Sequence, residues 1–332
     1  MHDLGIVLIF TVVVALAFDY INGFHDTANA IATVVSTRVM SPMQAILMAA
    51  GLNFIGALVS SNVAQTIAKD IIQTSSATEA VVLAAIIGAI VWNIITWAGG
   101  IPSSSSHALV GGLCGAGAAH AGVAAVQWNG LLKKVLIPLI GSPVLGFLIG
   151  LGIMSLIAVL FRSANPRRAG AGFRNMQRLS AAAMAYSHGQ NDAQKSMGII
   201  TLALFTHHMI HKAEVPQWVM IACALAMALG TAAGGWRIIR TMGHKIMRMD
   251  PVNGFAAETS GAIVILLSSK LGMPVSTTHV LAGSIFGVGA SKGRHAVRWT
   301  VAQRMVTAWF LTIPAAAAVG ALAYGFLTLV GM

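Results

Sequence analysis

Charge is what this chain has least of. Only 9% of its 332 residues are Asp, Glu, Lys or Arg, against roughly 25% in an ordinary soluble domain. With 57% hydrophobic residues and a mean hydropathy of +0.80, that scarcity excludes a water-soluble fold. Cysteine is nearly missing too. Cys114 and Cys223 each lie in an apolar run, where a thiol behaves as a small hydrophobe, so no disulfide framework is expected. Acidic residues number nine against twenty basic ones, leaving a net charge of +11. In a membrane chain such an excess marks cytoplasmic loops rather than a nucleic-acid partner. A basic n-region is also lacking: Met1 to Leu4 carries Asp3, which reads as mature sequence entering the membrane directly, not as a signal peptide. Nor are there the ten-residue alternating segments of an outer-membrane barrel.

What the sequence has in abundance is apolar runs of about 20 residues, the length that carries a helix across a bilayer core of roughly 30 Å. The fold class expected is therefore an all-α polytopic membrane protein. From Leu4 to about Arg38 the chain is apolar for so long that a single helix would reach about 52 Å. A break at Asn22-Gly23 is expected there, because Gly ends helices readily. A span from Pro42 to about Gln65 follows, then Ala80 to Trp97, an interruption at Gly99–His107, a continuation to Ala121, and a long run to Phe161. Arg162, Arg167, Arg168, Arg174 and Arg178 form a basic link, and the order then repeats. Three parts result: 1–161 as a first repeat, 162–178 as a cytoplasmic linker and 179–332 as a second repeat.

The duplication shows most clearly in two interruptions. Pro102–Ala118 aligned on Pro274–Ala290 pairs Pro102 with Pro274, Ser104 with Ser276, His107 with His279, Gly111 with Gly283 and Gly115 with Gly287. A second matched pair joins Tyr20, Gly23 and Asp26 to Tyr186, Gly189 and Asp192. Each half, read as a broken first helix, a span, a hairpin and a closing span, makes an odd number of crossings, so the halves lie in opposite orientations. With both termini outside, the 162–178, 237–248 and 292–304 basic clusters fall inside. Outside remain Lys69, Lys133, Lys134 and Lys212, which satisfies the positive-inside rule. Inverted repeats with broken helices are the mark of secondary transporters.

The polar motifs suggest the cargo. Interrupted helices leave unpaired backbone N–H groups at the start of each half-helix, where partial positive charge attracts anions. Ser103, Ser104, Ser105 and Ser106 in one half, and Ser276, Thr277 and Thr278 in the other, add hydroxyls suited to a small tetrahedral anion. Two capped helices would show the same residues; the duplication favours a substrate site. Asp26 and Asp192 carry the opposite sign and would repel the anion unless cations or protons enter with it. Asn22, Asn29, Asn191 and Gln194 offer amide oxygens to a hard cation.

Gly23-Phe24-His25-Asp26-Thr27-Ala28-Asn29-Ala30 and His188-Gly189-Gln190-Asn191-Asp192 resemble the paired signatures of the inorganic phosphate transporter family. The resemblance runs over nearly the whole chain and implies an inverted-repeat helical transporter of the cell (inner) membrane with two hairpin motifs. It implies that Asp26 and Asp192 bind phosphate and the coupling ion. His25 and the Gln194-Lys195 pair depart from the sodium-coupled pattern. Lys195, three residues from Asp192 on one helical face, is positioned to stand in for a coupling cation. The chain is similar to the bacterial low-affinity branch, which implies proton-coupled uptake, with phosphate accompanied by a divalent metal; sodium coupling and another oxyanion such as sulfate stay open as alternatives.

Glu258 reads either as a proton carrier or as a paired structural acid, and His107 and His279 as titrating groups or helix-helix bonders. His207, His208, His211 and Glu214 lack the spacing of a zinc-hydrolase motif and suggest at most a surface metal site. No segment supplies a compact ligand set with an open position, so neither a resident metal or cofactor nor an enzymatic activity is expected. A homodimer is left open.

Overall fold

The computed structural model describes residues 2–331. Met1 and Met332 lie outside the described residues, as do the side chains of residues 2–4, 74, 166, 167 and 294. The reading of the N-terminus at Met1–Leu4 and the charges of Arg167 and Arg294 fall there.

The chain is helical almost throughout. In order come α1 (His2–Ser36), α2 (Pro42–Ala57), α3 (Asn62–Lys69), α4 (Glu79–Ala98), α5 (Ser105–Ala121) and a short lead-in α6 (Trp128–Gly130). A π-helical stretch, Leu131–Leu136, runs into α7 (Ile137–Leu160). The second half supplies α8 (Pro166–Thr206), α9 (Gln217–Ala233), α10 (Trp236–Arg240), α11 (Pro251–Lys270), α12 (Thr277–Ser291) and α13 (Trp299–Leu329). Among the described residues five helices are long and apolar enough to cross a membrane, or seven if each bent pair counts as one span. In hydrocarbon the backbone must pair with itself, and helices achieve this within one segment.

The expected break in the first helix is absent. α1 runs unbroken for 35 residues, and its counterpart α8 for 41. Gly23 serves close packing instead: a Cβ there would lie 2.5 Å from the Met227 carbonyl oxygen of α9. Its partner Gly189 stands in the same way against Asn53 of α2, at 2.2 Å. The bends lie one element later. α2 and α3 meet at 67°, and α9 meets α10 with its π-helical continuation at 60°. The basic stretch expected as a linker is helical from Pro166 onward and forms the first turns of α8.

Both expected hairpins are present. α4 ends at Ala98 and α5 begins at Ser105; α11 ends at Lys270 and α12 begins at Thr277. Ser104 and Ser276 cap the returning helices by accepting from His107 N and His279 N, each at 3.2 Å. The hairpin helices pack across the halves, α5 on α13 and α12 on α7. The contacts match: Gly115 lies against the carbonyl of Ala317 and Gly287 against that of Phe147, a Cβ on either coming within 2.0 Å.

Two apolar cores result. One gathers Leu8, Ala15 and Phe18 with α3, α4, α5 and the end of α8; the other gathers Ala28–Val34 with α2, α11 and α12. Between them lies the polar stretch 19–29 of α1, with the matching stretch of α8 beside it.

Candidate functional site

The centre forms where α1 and α8 meet the tips of both hairpins. Asp26 and Asp192, from opposite halves, are buried beside each other, and with His188 each offers a ligand atom within 4.8 Å of the others. Buried carboxylates need partners, and the hairpins supply them. Ser105 donates to Asp26 at 3.2 Å and its counterpart Thr277 donates to Asp192 at 3.1 Å. Thr278 reaches Asp26 at 3.4 Å. Asn29 then ties the halves together, its amide donating to the hydroxyls of Thr277 (3.2 Å) and Thr278 (2.8 Å). A continuous path runs from Asp192 through Thr277, Asn29 and Thr278 to Asp26.

The residue before each aspartate is fastened to the hairpin of its own half. His25 lies 2.7 Å from Asp26 through Nδ1 and 3.1 Å from the Thr96 hydroxyl through Nε2, with Ser103 bonded to Thr96 at 2.7 Å. Asn191 donates to Ser269 (2.9 Å) and to the Met273 carbonyl (3.3 Å). The two halves differ in the residue three positions after each aspartate. Lys195 occupies the place that Asn29 holds in the first half, and it donates to its own Asp192 at 2.7 Å instead of reaching the opposite hairpin. Of the two carboxylates, only Asp192 has an ammonium against it.

Other expected residues lie apart from this centre. Gln194 accepts from Val63 N (2.8 Å) and Ala64 N (3.2 Å), so it caps α3. Ser104 and Ser276 are the helix caps already described, and Ser106 donates to the Val275 carbonyl at 2.9 Å, joining the two hairpin tips. Glu258 accepts from Thr33, Gln177 and Ser180 at 2.5, 3.1 and 2.5 Å. Thr33 lies two turns beyond Asp26, about 10 Å along α1. Asn22 is fully buried with no side-chain partner among the described residues. His107 and His279 stack edge to face at 4.5 Å between the hairpins. In the surface loop, His207 pairs with Glu79.

Three contributors were not singled out from the sequence. His188 lies 3.3 Å from Asp192 and is oriented by Asn53 at 3.2 Å, which in turn donates to Thr231 at 2.8 Å. Asn93 holds Ser105 at 3.1 Å. A signal existed for each: His188 aligns with Asn22 in the duplicated motif, while Asn53 and Asn93 are lone amides within apolar spans, where a polar residue marks function by default. A metal-capable trio escaped notice because no one segment carries it; it assembles only when the halves meet.

This is a polytopic helical membrane protein whose buried, two-sided polar centre between paired hairpins has the architecture of a solute transporter. Residues 22–320 match the phosphate transporter family, PHO4, and the chain belongs to it. It is 48% identical to a probable low-affinity inorganic phosphate transporter of Bacillus subtilis (strain 168), over 99% of this chain and 100% of the relative. A protein of the same description from Rhizobium meliloti (strain 1021) is also 48% identical, over 96% of this chain and 95% of the relative. The solved structure of a protein described as the sodium-dependent phosphate transporter superposes with a TM-score of 0.91 at 27% identity, covering 97% of this chain and 99% of that one. Members of this family are transporters, not enzymes.

Proposed function

We propose that this protein takes up inorganic phosphate across the cell membrane by cation symport, with protons as the coupling ion. The observation that carries this reading is the meeting of Asp26 and Asp192 under the hydroxyls of Ser105, Thr277 and Thr278. Two carboxylates repel a phosphate dianion, so phosphate enters only with positive charge or as a form that donates hydrogen bonds to them. Sulfate carries no proton at neutral pH and cannot donate. Asp26, His188 and Asp192 together suit a divalent ion that arrives with phosphate as part of the cargo.

Lys195 supports protons over sodium. Its ammonium against Asp192 supplies permanently the charge that a bound sodium would bring. Sodium coupling is the second reading, favoured by the similarity to the sodium-dependent transporter. Radiolabelled phosphate uptake into proteoliposomes separates the two. An imposed proton gradient is expected to drive accumulation and a sodium gradient is not, whereas Lys195→Gln acquires sodium dependence. Sodium-driven uptake by the unmodified protein, or unchanged proton coupling in Lys195→Gln, contradicts the assignment.

The basic clusters support both termini outside and the 162–178 stretch in the cytoplasm. A single cysteine placed at Gly170 should then react with a membrane-impermeant reagent only from the cytoplasmic face; labelling from outside reverses the topology.

A further inference from the structure

Because α1 is unbroken, its polar residues fall on one face at alternating spacings of three and four: Asp19, Asn22, Asp26, Asn29 and Thr33. Asp26 and Asn29 belong to the centre described above, and Thr33 holds Glu258. Asp19 and Asn22 have no role there.

Asp19 is fully buried, and the donors that reach its carboxylate are neutral: the Ser196 hydroxyl and the Cys223 thiol. Both polar atoms of Asn22, one turn further on, are buried with no hydrogen-bond partner among the described residues. Ser196 comes from α8, with Lys195 and Asp192 behind it, and Cys223 comes from α9. An isolated charge in such surroundings is strongly disfavoured. A buried carboxylate met only by neutral donors, beside an unpartnered amide oxygen and a hydroxyl oxygen, is what a bare hard cation or a proton satisfies.

We propose that Asp19, with Asn22 and Ser196, is a second cation station, where the monovalent coupling ion, a proton or sodium, is held about 10 Å along α1 from Asp26. The inference deepens the symport reading and rests on it. On this assignment three buried acids line up at two-turn intervals along α1: its own Asp19 and Asp26, and Glu258 of α11 held by Thr33. The ion is lodged at Asp19 before phosphate and Asp26 receive it.

The test compares Asp19→Asn, Asp19→Glu and Ser196→Ala in proteoliposomes and in purified form. Binding of inorganic phosphate to the purified protein and gradient-driven phosphate uptake are measured side by side, each with proton and with sodium as the imposed ion. Asp19→Asn is expected to bind phosphate within about threefold of the unmodified protein but to lose at least about tenfold of gradient-driven uptake. Asp19→Glu should restore uptake, and Ser196→Ala should shift the half-saturating concentration of whichever ion drives transport by several fold. The ion that drives the unmodified protein identifies the occupant. Full gradient-driven uptake by Asp19→Asn overturns the station, as does loss of phosphate binding along with uptake. If Asp19→Asn does not assemble, an unaltered ion dependence in Ser196→Ala overturns it instead. Absence of phosphate binding in the unmodified protein would defeat the transport reading itself.

Discussion

Asn29 does more than any other single residue to make two half-sites into one. Its amide holds Thr277 and Thr278 together, and each of those hydroxyls donates to a different aspartate. Replacing it with Leu leaves two buried hydroxyl oxygens without their donor and unlinks the halves. A penalty of about 1–3 kcal/mol follows, which corresponds to a loss of phosphate affinity of roughly fivefold to a hundredfold. Phosphate binding by purified Asn29→Leu checks this; unchanged affinity would show that the Asp192-to-Asp26 path is ornamental. Much at this scale could be read from the sequence. Asp26, Asn29, Thr277 and Thr278 announce themselves as polar groups in repeated motifs. Gln194, expected among the ion ligands, meets α3 instead, since spacing along a helix fixes a face but not the neighbour that meets it. His188 was hidden because a lone histidine has no preferred reading until Asn53 is seen to orient it.

Among the elements, the hairpins were legible and the bends were not. Pro-x-Ser-x-x-His ahead of a glycine-bearing run carries its own turn chemistry, proline and a capping serine, so each interruption appears where it was expected. Gly23 carries the same local signal as a break, but the helix continues because α9 presses against that point and leaves no room for a side chain. The bend between α2 and α3 has no Gly or Pro to mark it, only Leu58 to Ser61. Close approach at glycine is also what docks each hairpin helix on the opposite closing helix. Gly115→Val puts a side chain into the Ala317 backbone, and an overpacking penalty of about 1–3 kcal/mol is expected. Gly152→Ala on α7, where nothing lies within 4 Å, is the control. Thermal unfolding in detergent should show a lowered midpoint for the first and none for the second; equal midpoints would mean the crossing is not tightly packed.

At the scale of the whole molecule, the halves are exchanged rather than merely adjacent. α1 packs on α9 and α8 on α2; α5 packs on α13 and α12 on α7. Neither half can close its own polar site, since Asp26 needs Thr278 and Thr277 needs Asn29. The duplicated motifs made the existence of two similar units plain, but only packing reveals that each completes the other. Among the asymmetries that survive the exchange, Lys195 in place of a second amide gives the two aspartates unequal charge environments. If phosphate is bound by the pair, disabling either member should be as harmful as disabling both. Proton-driven uptake of radiolabelled phosphate into proteoliposomes by Asp26→Asn, Asp192→Asn and the double variant measures this directly. Each single variant is expected to fall at least about a hundredfold with little further loss in the double, whereas substantial uptake retained by either single variant would contradict a shared centre.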